Sequence, residues 1–192
     1  MLASRRAVLA GCLALAIGKP VRVTASQFVD LTYSAGRLAW PGGEATAVCG
    51  HGGVRADKHE GDGASPAGTF PLVQAYYRPD RVAPPATGLP LFALRPEDGW
   101  VDDPADPQYN RPVTLPYPAG HERMWREDGL YDLVVVIGYN TDPPAPGLGS
   151  AIFLHAAAPD FQPTEGCIAV ARDVLAGLLP LLGPGSTIAI RP

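Results

Sequence analysis

Two apolar stretches decide the fold class of this chain: Leu-Val-Val-Val-Ile-Gly-Tyr at 133–139 and Ala-Ile-Phe-Leu-His at 151–155. Both are short and rich in β-branched or aromatic residues, and Gly, Pro or Ser lies close to them, which is the pattern of buried β-strands. His155 ends the second stretch, and Cys167 opens a further short apolar run at 167–170. The C-terminal third therefore predicts buried strands with a histidine and a cysteine at their ends.

The composition of the whole chain agrees with a domain of short strands. Of 192 residues, 22 are Gly and 22 are Pro, which leaves little room for long helices. Since 46% of residues are apolar and only 18% are charged, disorder is excluded, and no collagen or heptad period appears. We expect one compact domain over residues 26–192, large enough to bury a core.

The remaining elements follow from local alternation and turn residues. Asp173 is predicted to cap a helix over 174–182 that Gly183 and Pro184 end. The Pro-rich segment 78–118 is predicted to be an irregular surface or substrate-facing excursion in which only 91–94 and 100–101 are extended. The predicted class is a mainly β, mixed sandwich or partly open barrel with one or two short helices. Other predicted strands are 27–33, 37–40, 45–49, 69–77 and 187–190.

Residues 1–25 resemble an export signal rather than part of the fold. Arg5 and Arg6 precede an apolar run of 11 residues, too short to span a bilayer, and small residues near Ala25 suit cleavage. The paired arginines suggest the twin-arginine route to the periplasm or cell wall. Because Cys12 lies in a sequence similar to a lipoprotein box, lipid attachment there is the alternative, and it would be the one reason to expect membrane association.

Removal of this segment leaves an acidic protein. It takes four of the 15 bases and none of the 19 acids, so 11 bases and 19 acids remain and the net charge is −8. Lys58 is then the only lysine. A nucleic-acid partner is excluded because no basic stripe exists, whereas substrates with free amines are favoured. We expect a monomer.

The cysteines allow two readings. In an exported protein Cys49 and Cys167 could form a disulfide, but catalysis by Cys167 requires a free thiol and makes Cys49 a buried apolar residue. A metal is not expected, because the four histidines are scattered and neither a CxxC nor an HExxH motif occurs. No cofactor is implied.

His155 and Cys167 form the pattern that carries chemistry. A histidine on an adjacent strand can take the proton of a thiol nucleophile, and Gly166 would let a substrate carbonyl approach. The backbone N–H groups of Gly166 and Cys167 could form an oxyanion hole. The alternative is a half-buried structural cysteine beside an unrelated histidine.

The segment Phe153-Leu154-His155, followed by Pro-Thr-Glu-Gly-Cys-Ile-Ala-Val at 163–170, resembles the catalytic segment of the YkuD-type L,D-transpeptidases. Stretches at 58–70, 125–132 and 136–140 resemble the same family in the same order. The resemblance implies a β-sandwich enzyme that acts on peptidoglycan stem peptides and is inhibited by carbapenems. It implies Cys167 as nucleophile, His155 as its activating base, and Thr164 and Gly166 as motif residues.

Three departures distinguish the chain from the family pattern. Glu165 stands where most members have His, Ala169 stands where many have Arg or Asn, and His155 is only 12 residues before Cys167. His155 is therefore the sole imidazole candidate. Glu165 could bind an acceptor ammonium or hydrogen-bond the peptide, and Thr164 is a further candidate for contact with substrate. The cross-link type, 3–3, 1–3 or exchange of a terminal D-amino acid, stays open. So do hydrolysis by a carboxypeptidase or amidase and a catalytically silent wall-binding protein.

Other residues receive weaker assignments. Tyr139 and Asn140 end the strand beside His155, so contact with substrate is predicted, with a simple turn role for Asn140 as the alternative. Turn chemistry is expected for Arg55, Lys58 and Asp62. We expect exposed loop positions for His51 and His59. Packing or hydrogen bonding within the scaffold is expected for Glu122, Trp125 and Tyr131.

Overall fold

The structure, a computed structural model, describes residues 28–192. The predicted export signal at 1–25 and the candidate lipid-attachment residue Cys12 lie outside the described residues. Strands make up 36% of the chain and helix 6%, so the prediction of a mainly β fold is confirmed. In the part of the chain that the structure describes, no helix is long and apolar enough to cross a membrane.

The strands are short and are numbered here in chain order. They are β1 Leu31–Ser34, β2 Arg37–Trp40, β3 Gly43–Val48, β4 Val54–Arg55, β5 Ser65–Pro66, β6 Gly68–Tyr77, β7 Leu91–Ala93, β8 Asp98–Val101, β9 Pro112–Thr114, β10 His121–Arg123, β11 Leu133–Ile137, β12 Phe153–Ala156, β13 Ile168–Val170 and β14 Thr187–Ile190. Helix α1 spans Arg172–Leu178, and a 3₁₀ turn follows at Leu179–Leu181.

The strand pairings of the main sheet form a closed circuit, with β7 attached to β6 outside it. The strand order is β11-β12-β13-β3-β2-β1-β14-β6-β7, and an additional pairing joins β11 to β6. Strand β3 pairs with β2 in its first part and with β13 through Ala47 and Val48. Strand β6 pairs with β14 up to Pro71 and with β11 from Leu72 onward. Strands β3 and β6 thus join the two layers of the predicted sandwich, and the circuit of strand pairings is closed rather than partly open.

Strand β11 is buried on both faces, which explains its unbroken apolar run. Leu133, Val135 and Ile137 pack into the main core between the layers. Val134 and Val136 alternate with them and pack into a second apolar cluster on the other face. Burial of each such side chain contributes about 1.5–3 kcal/mol to folding. Strand β12, which pairs with β11 and carries His155, is therefore held in a rigid position.

The segment 78–118 is more regular than predicted. It contains β7, β8 and β9, and β8 pairs with both β9 and β10 in a small antiparallel sheet. Leu94 and Trp100 of this segment are buried members of the second apolar cluster. Strands of three or four residues bounded by prolines are too short to produce a clear alternation pattern, which is why the sequence suggested a loop.

Several predicted element boundaries are wrong, among them the start of the helix and the start of β1. Helix α1 begins after Ala171, which makes no side-chain capping bond, and Asp173 lies inside the first turn instead of at the cap. A carboxylate there still interacts favourably with the positive end of the helix. Strand β1 begins at Leu31 rather than at residue 27.

Candidate active site

Two neighbouring parallel strands bring the side chains of His155 and Cys167 to one cleft. In the pairing of β12 with β13, His155 lies opposite Ala169 and Leu154 opposite Ile168. Cys167 directly precedes β13, and its Sγ accepts a hydrogen bond from the backbone N–H of Phe153 at 3.3 Å. Since residues two apart on a strand share a face, Phe153 and His155 lie on the same side of β12, the side that Cys167 faces.

His155 is buried and oriented by its own strand. Its Nδ1 donates to the carbonyl oxygen of Ala156 at 2.8 Å. A carbonyl can only accept, so in the neutral ring Nδ1 carries the hydrogen and Nε2 keeps a lone pair. Burial lowers the pKa of His155 to about 4, with a smaller contribution from the charge of Arg126. The histidine is therefore a neutral base through the physiological range.

Cys167 is a free thiol, and so is Cys49, which is half-buried. The alternative of a disulfide between Cys49 and Cys167 is thus not found in the structure. Cys167 is only 7% exposed and donates its S–H to the carbonyl oxygen of Ala151 at 3.2 Å. Burial raises the pKa of the Cys167 thiol to about 12, and the charge of Glu122 adds to this rise. In the resting site, both thiol and imidazole are neutral.

A cleft of about 350 Å³ runs past both groups. Arg126 is the one guanidinium among the residues that line it, whereas four of them are carboxylates. These are Glu60, Asp102, Glu122 and Glu165. The field of such a wall favours a cationic ligand. Of the whole segment 78–118, only Asp102 lines this cleft, so the predicted excursion contributes little to it.

Tyr131 and Glu122 belong to the site, although the sequence assigned them to the scaffold. The ring of Tyr131 packs edge-on against His155, with centroids 5.1 Å apart, and its hydroxyl donates to Glu122 Oε1. Burial raises the pKa of Glu122. Trp125 does support the scaffold, with the Arg78 guanidinium stacked 3.6 Å above its ring. The family resemblance of residues 125–132 pointed to the region of Tyr131, but the sequence did not show which way the Tyr131 side chain faces.

The turn before Cys167 is held by Thr164. The threonine hydroxyl donates to the Cys167 carbonyl oxygen at 2.6 Å and accepts from the Gly166 N–H at 3.2 Å. The N–H of Gly166 is therefore engaged inside the turn. An oxyanion role for the Cys167 N–H stays a prediction.

Gly166 is required for a different reason from the one predicted. Its φ is +141°, and a Cβ there would lie 2.9 Å from the carbonyl oxygen of Ala64 and 3.1 Å from Ile152 Cδ1. The bare side of Gly166 thus faces the 58–64 loop and the core, and Gly166 is not among the residues that line the cleft. The glycine permits close packing of the backbone and does not clear a path for substrate.

A family model for the L,D-transpeptidase catalytic domain (YkuD) matches residues 21–190. The chain belongs to this family. YkuD domains are cysteine-based transpeptidases that act on peptidoglycan stem peptides and are generally sensitive to carbapenems. No curated protein and no solved structure matches the chain.

Within this YkuD domain, Glu165 fills the position usually held by histidine and shares a hydrogen bond with His51. Glu165 Oε2 lies 3.0 Å from His51 Nε2 at the rim of the cleft, and both side chains are mostly exposed. His51 is thus an exposed loop histidine, as predicted, but it is not isolated. Glu165 reaches the cleft, where it remains available to a ligand that competes with His51.

Tyr139 and Asn140 follow the strand next to β12 in the YkuD domain, but neither lines the cleft. The Tyr139 hydroxyl donates to the Leu148 carbonyl, and its ring packs edge-on against Phe70. Asn140 has a φ of +51° and bonds both Ala145 and Gly149. Their predicted contact with substrate finds no support in this placement, and the turn alternative accounts for Asn140.

The charged glycine loop of the YkuD domain is organised as predicted. Arg55 forms an ion pair with Asp57, and Asp62 accepts hydrogen bonds from the N–H groups of His59 and Ala64. Lys58 differs from its neighbours because it is buried, at 5% exposure. Turn chemistry by itself does not explain why a lysine is buried there.

Proposed function

We propose that the protein is a peptidoglycan L,D-transpeptidase, with Cys167 as nucleophile and His155 as base. Membership of the YkuD family supports the class of reaction. The observation that carries the residue assignment is that both side chains reach one cleft from adjacent strands, with Nε2 of His155 free to accept a proton.

The first half-reaction acylates the enzyme. Nε2 of His155 takes the thiol proton as the Cys167 sulfur attacks a carbonyl of the donor stem peptide. The peptide C–N bond breaks, and His155 gives the proton to the leaving amine, which departs as the terminal residue. The donor is left as a thioester on Cys167. Tyr131, packed against the imidazole, limits the ring to one orientation.

The second half-reaction transfers the acyl group to an amine. The acceptor nitrogen attacks the thioester, the C–S bond breaks, and the proton lost by the amine passes through His155 to the sulfur. The result is a new peptide bond and a regenerated thiol. The four carboxylates of the cleft support an amine acceptor, since their field draws in ammonium groups. Water in place of the amine would make the enzyme a carboxypeptidase.

Incubation of the purified protein with sacculi, followed by digestion and mass spectrometry, tests the proposal. Cross-linked dimers or D-amino-acid exchange products support transfer, and their masses and fragmentation assign the linkage as 3–3, 1–3 or exchange. Trimmed monomers mean hydrolysis instead. Unchanged muropeptides with retained binding to sacculi would identify a silent wall-binding protein. The Cys167→Ala variant is the control, and it should also lose the covalent adduct with a carbapenem.

We propose further that residues 1–25 direct export to the periplasm or cell wall, where the substrate lies. The paired arginines and apolar run support this location. Fractionation of cells that express the full chain, compared with an Arg5→Lys, Arg6→Lys double variant, tests it. Cytoplasmic retention of the double variant is expected for the twin-arginine route.

A further inference from the structure

Lys58 is the only lysine in residues 28–192, and its side chain is only 3% exposed. A buried ammonium loses its hydration, so it persists only where other groups stabilise its charge. The loop at 58–63 does not need this charge for its turn, because Asp62 closes the turn with two backbone N–H groups.

Asp62 holds the ammonium in place. Lys58 Nζ donates to Asp62 Oδ1 at 2.9 Å and to the His59 carbonyl oxygen at 3.4 Å. Burial of Asp62 acts to raise its carboxyl pKa, but the two backbone N–H groups and Lys58 outweigh this effect and lower the pKa to about 2. The carboxylate is thus ionised at all physiological pH values, and it pairs with a charged lysine.

Gly149 makes room for the lysine side chain, which ends beside the turn before Cys167. A Cβ on Gly149 would lie 2.7 Å from Lys58 Cε, so no other residue fits there without displacing the lysine. A Cβ on Gly166 would lie 3.6 Å from Lys58 Nζ. The ammonium therefore lies beside the backbone immediately before Cys167.

The charged and titratable groups around the Cys167 sulfur come from several elements. Glu122 on β10 opposes a negative sulfur, whereas the hydroxyl of Tyr131 and the charge of Lys58 favour it. His155 on β12 is neutral at rest. The other carboxylates of the cleft, Glu60, Asp102 and Glu165, carry the same sign as Glu122. Arg126 also lines the cleft, where it pairs with Glu122 and Asp128, whereas Lys58 is the cation whose charge acts on the thiol pKa.

We propose that Lys58 is a positioning residue of the active site, whose buried ammonium, held by Asp62 and facing Gly166, stabilises negative charge on the Cys167 sulfur. The sulfur carries that charge when it attacks and again when it leaves the thioester. Asp62 has two opposite effects: it orients the ammonium, and its own charge partly cancels the field at the sulfur. The proposal rests on the proposed function in taking Cys167 as the nucleophile.

Alkylation of Cys167 by iodoacetamide in the full chain tests this without any transpeptidase substrate. Peptide-resolved mass spectrometry follows Cys167 separately from Cys49 and gives its rate constant at fixed pH between about 7 and 9. Lys58→Met, which keeps the length of the side chain, should slow alkylation roughly three- to tenfold, as expected when a nearby opposite charge is removed. Asp62→Asn should speed it by a similar factor.

The opposite changes in alkylation rate expected for Lys58→Met and Asp62→Asn separate an effect of charge from an effect of loop structure. Loosening of the loop would expose the buried thiol and speed alkylation in both variants, so unchanged or faster alkylation in Lys58→Met overturns the proposal. Lys58→Arg keeps the cation and should stay within about twofold of the wild type. If Lys58→Met does not fold by thermal melting, slow alkylation in Lys58→Arg beside fast alkylation in Asp62→Asn would equally overturn it.

Arg55→Met is the matched control, because Arg55 lies in the same loop but is exposed and pairs only with Asp57. Its alkylation rate should equal that of the wild type, and a slowing as large as that of Lys58→Met would overturn the proposal. The sacculus experiment separates this inference from the proposed function. Wild-type protein that forms no product from sacculi would contradict the proposed function and leave the alkylation difference intact.

Discussion

The Nδ1 atom of His155 donates to the carbonyl oxygen of Ala156, the next residue of the same strand, at 2.8 Å. This bond fixes both the tautomer and the ring orientation, so Nε2 faces away from its own backbone as the proton acceptor. The orientation of the base thus depends on β12 itself rather than on a distant carboxylate.

Replacement of His155 by Gln should lower kcat/KM for stem-peptide transfer by about 10²–10⁴-fold, because the general base is lost. His121→Gln is the control, since His121 also bonds a backbone carbonyl through Nδ1, that of Ala119, but lies outside the cleft. It should stay within about twofold of the wild type. Equal losses in the two variants would contradict the assignment of His155 as base.

The buried imidazole should also make stability depend on pH. The pKa of His155 is about 4 in the folded protein, below its ordinary value of 6.5. Between these values the unfolded chain binds the proton and the folded one does not, so stability falls as pH decreases from about 6.5 towards 4. His155→Gln should lose this part of the slope, on the order of 2 kcal/mol. Urea titrations of the wild type and of His155→Gln at pH 7 and 4.5 measure how much unfolding free energy each protein loses. An equal loss in the two proteins would count against a neutral buried imidazole.

Glu122→Gln should make the Cys167 thiol more acidic. The carboxylate raises the thiol pKa through its charge, and the amide keeps an oxygen that can accept the Tyr131 hydroxyl. Alkylation at fixed pH should become roughly three- to tenfold faster. Glu127→Gln, an exposed carboxylate paired with Arg81, should leave the rate unchanged. A slower reaction in Glu122→Gln is the result that this electrostatic account cannot accommodate.

Gly166→Ala should destabilise the fold by about 1–3 kcal/mol, because its φ of +141° disfavours a side chain and the new Cβ meets the Ala64 carbonyl oxygen. Gly177→Ala is the matched control: Gly177 lies in α1 with no atom within 4 Å of the new Cβ. That change should stabilise by about 0.5–1 kcal/mol. Thermal melts of the two variants give the comparison, and a neutral Gly166→Ala would refute the packing role.

Most of the site's strands could be predicted because their signal is local. The run at 133–137 is apolar at every position, and it became a strand buried on both faces. His155 and Cys167 lie at the ends of such strands, so pairing of the strands was expected to bring the two residues close together. Of the small sheet of β8, β9 and β10, only residues 100–101 were predicted to be extended, because each strand has only three or four residues. Asp173 was misplaced because a carboxylate suits the first turn as well as the cap.

By itself, the sequence determined the β-rich class, the family resemblance and the two residues expected to carry the chemistry. Each of these depends on residue type and on near neighbours in the chain, which sequence displays directly. The tertiary structure alone decided that Gly166 turns its bare side to the 58–64 loop, that Tyr131 contacts His155, and that Lys58 is buried beside the backbone before Cys167. Those relationships join segments from tens to more than a hundred residues apart, and only packing sets which side chains meet.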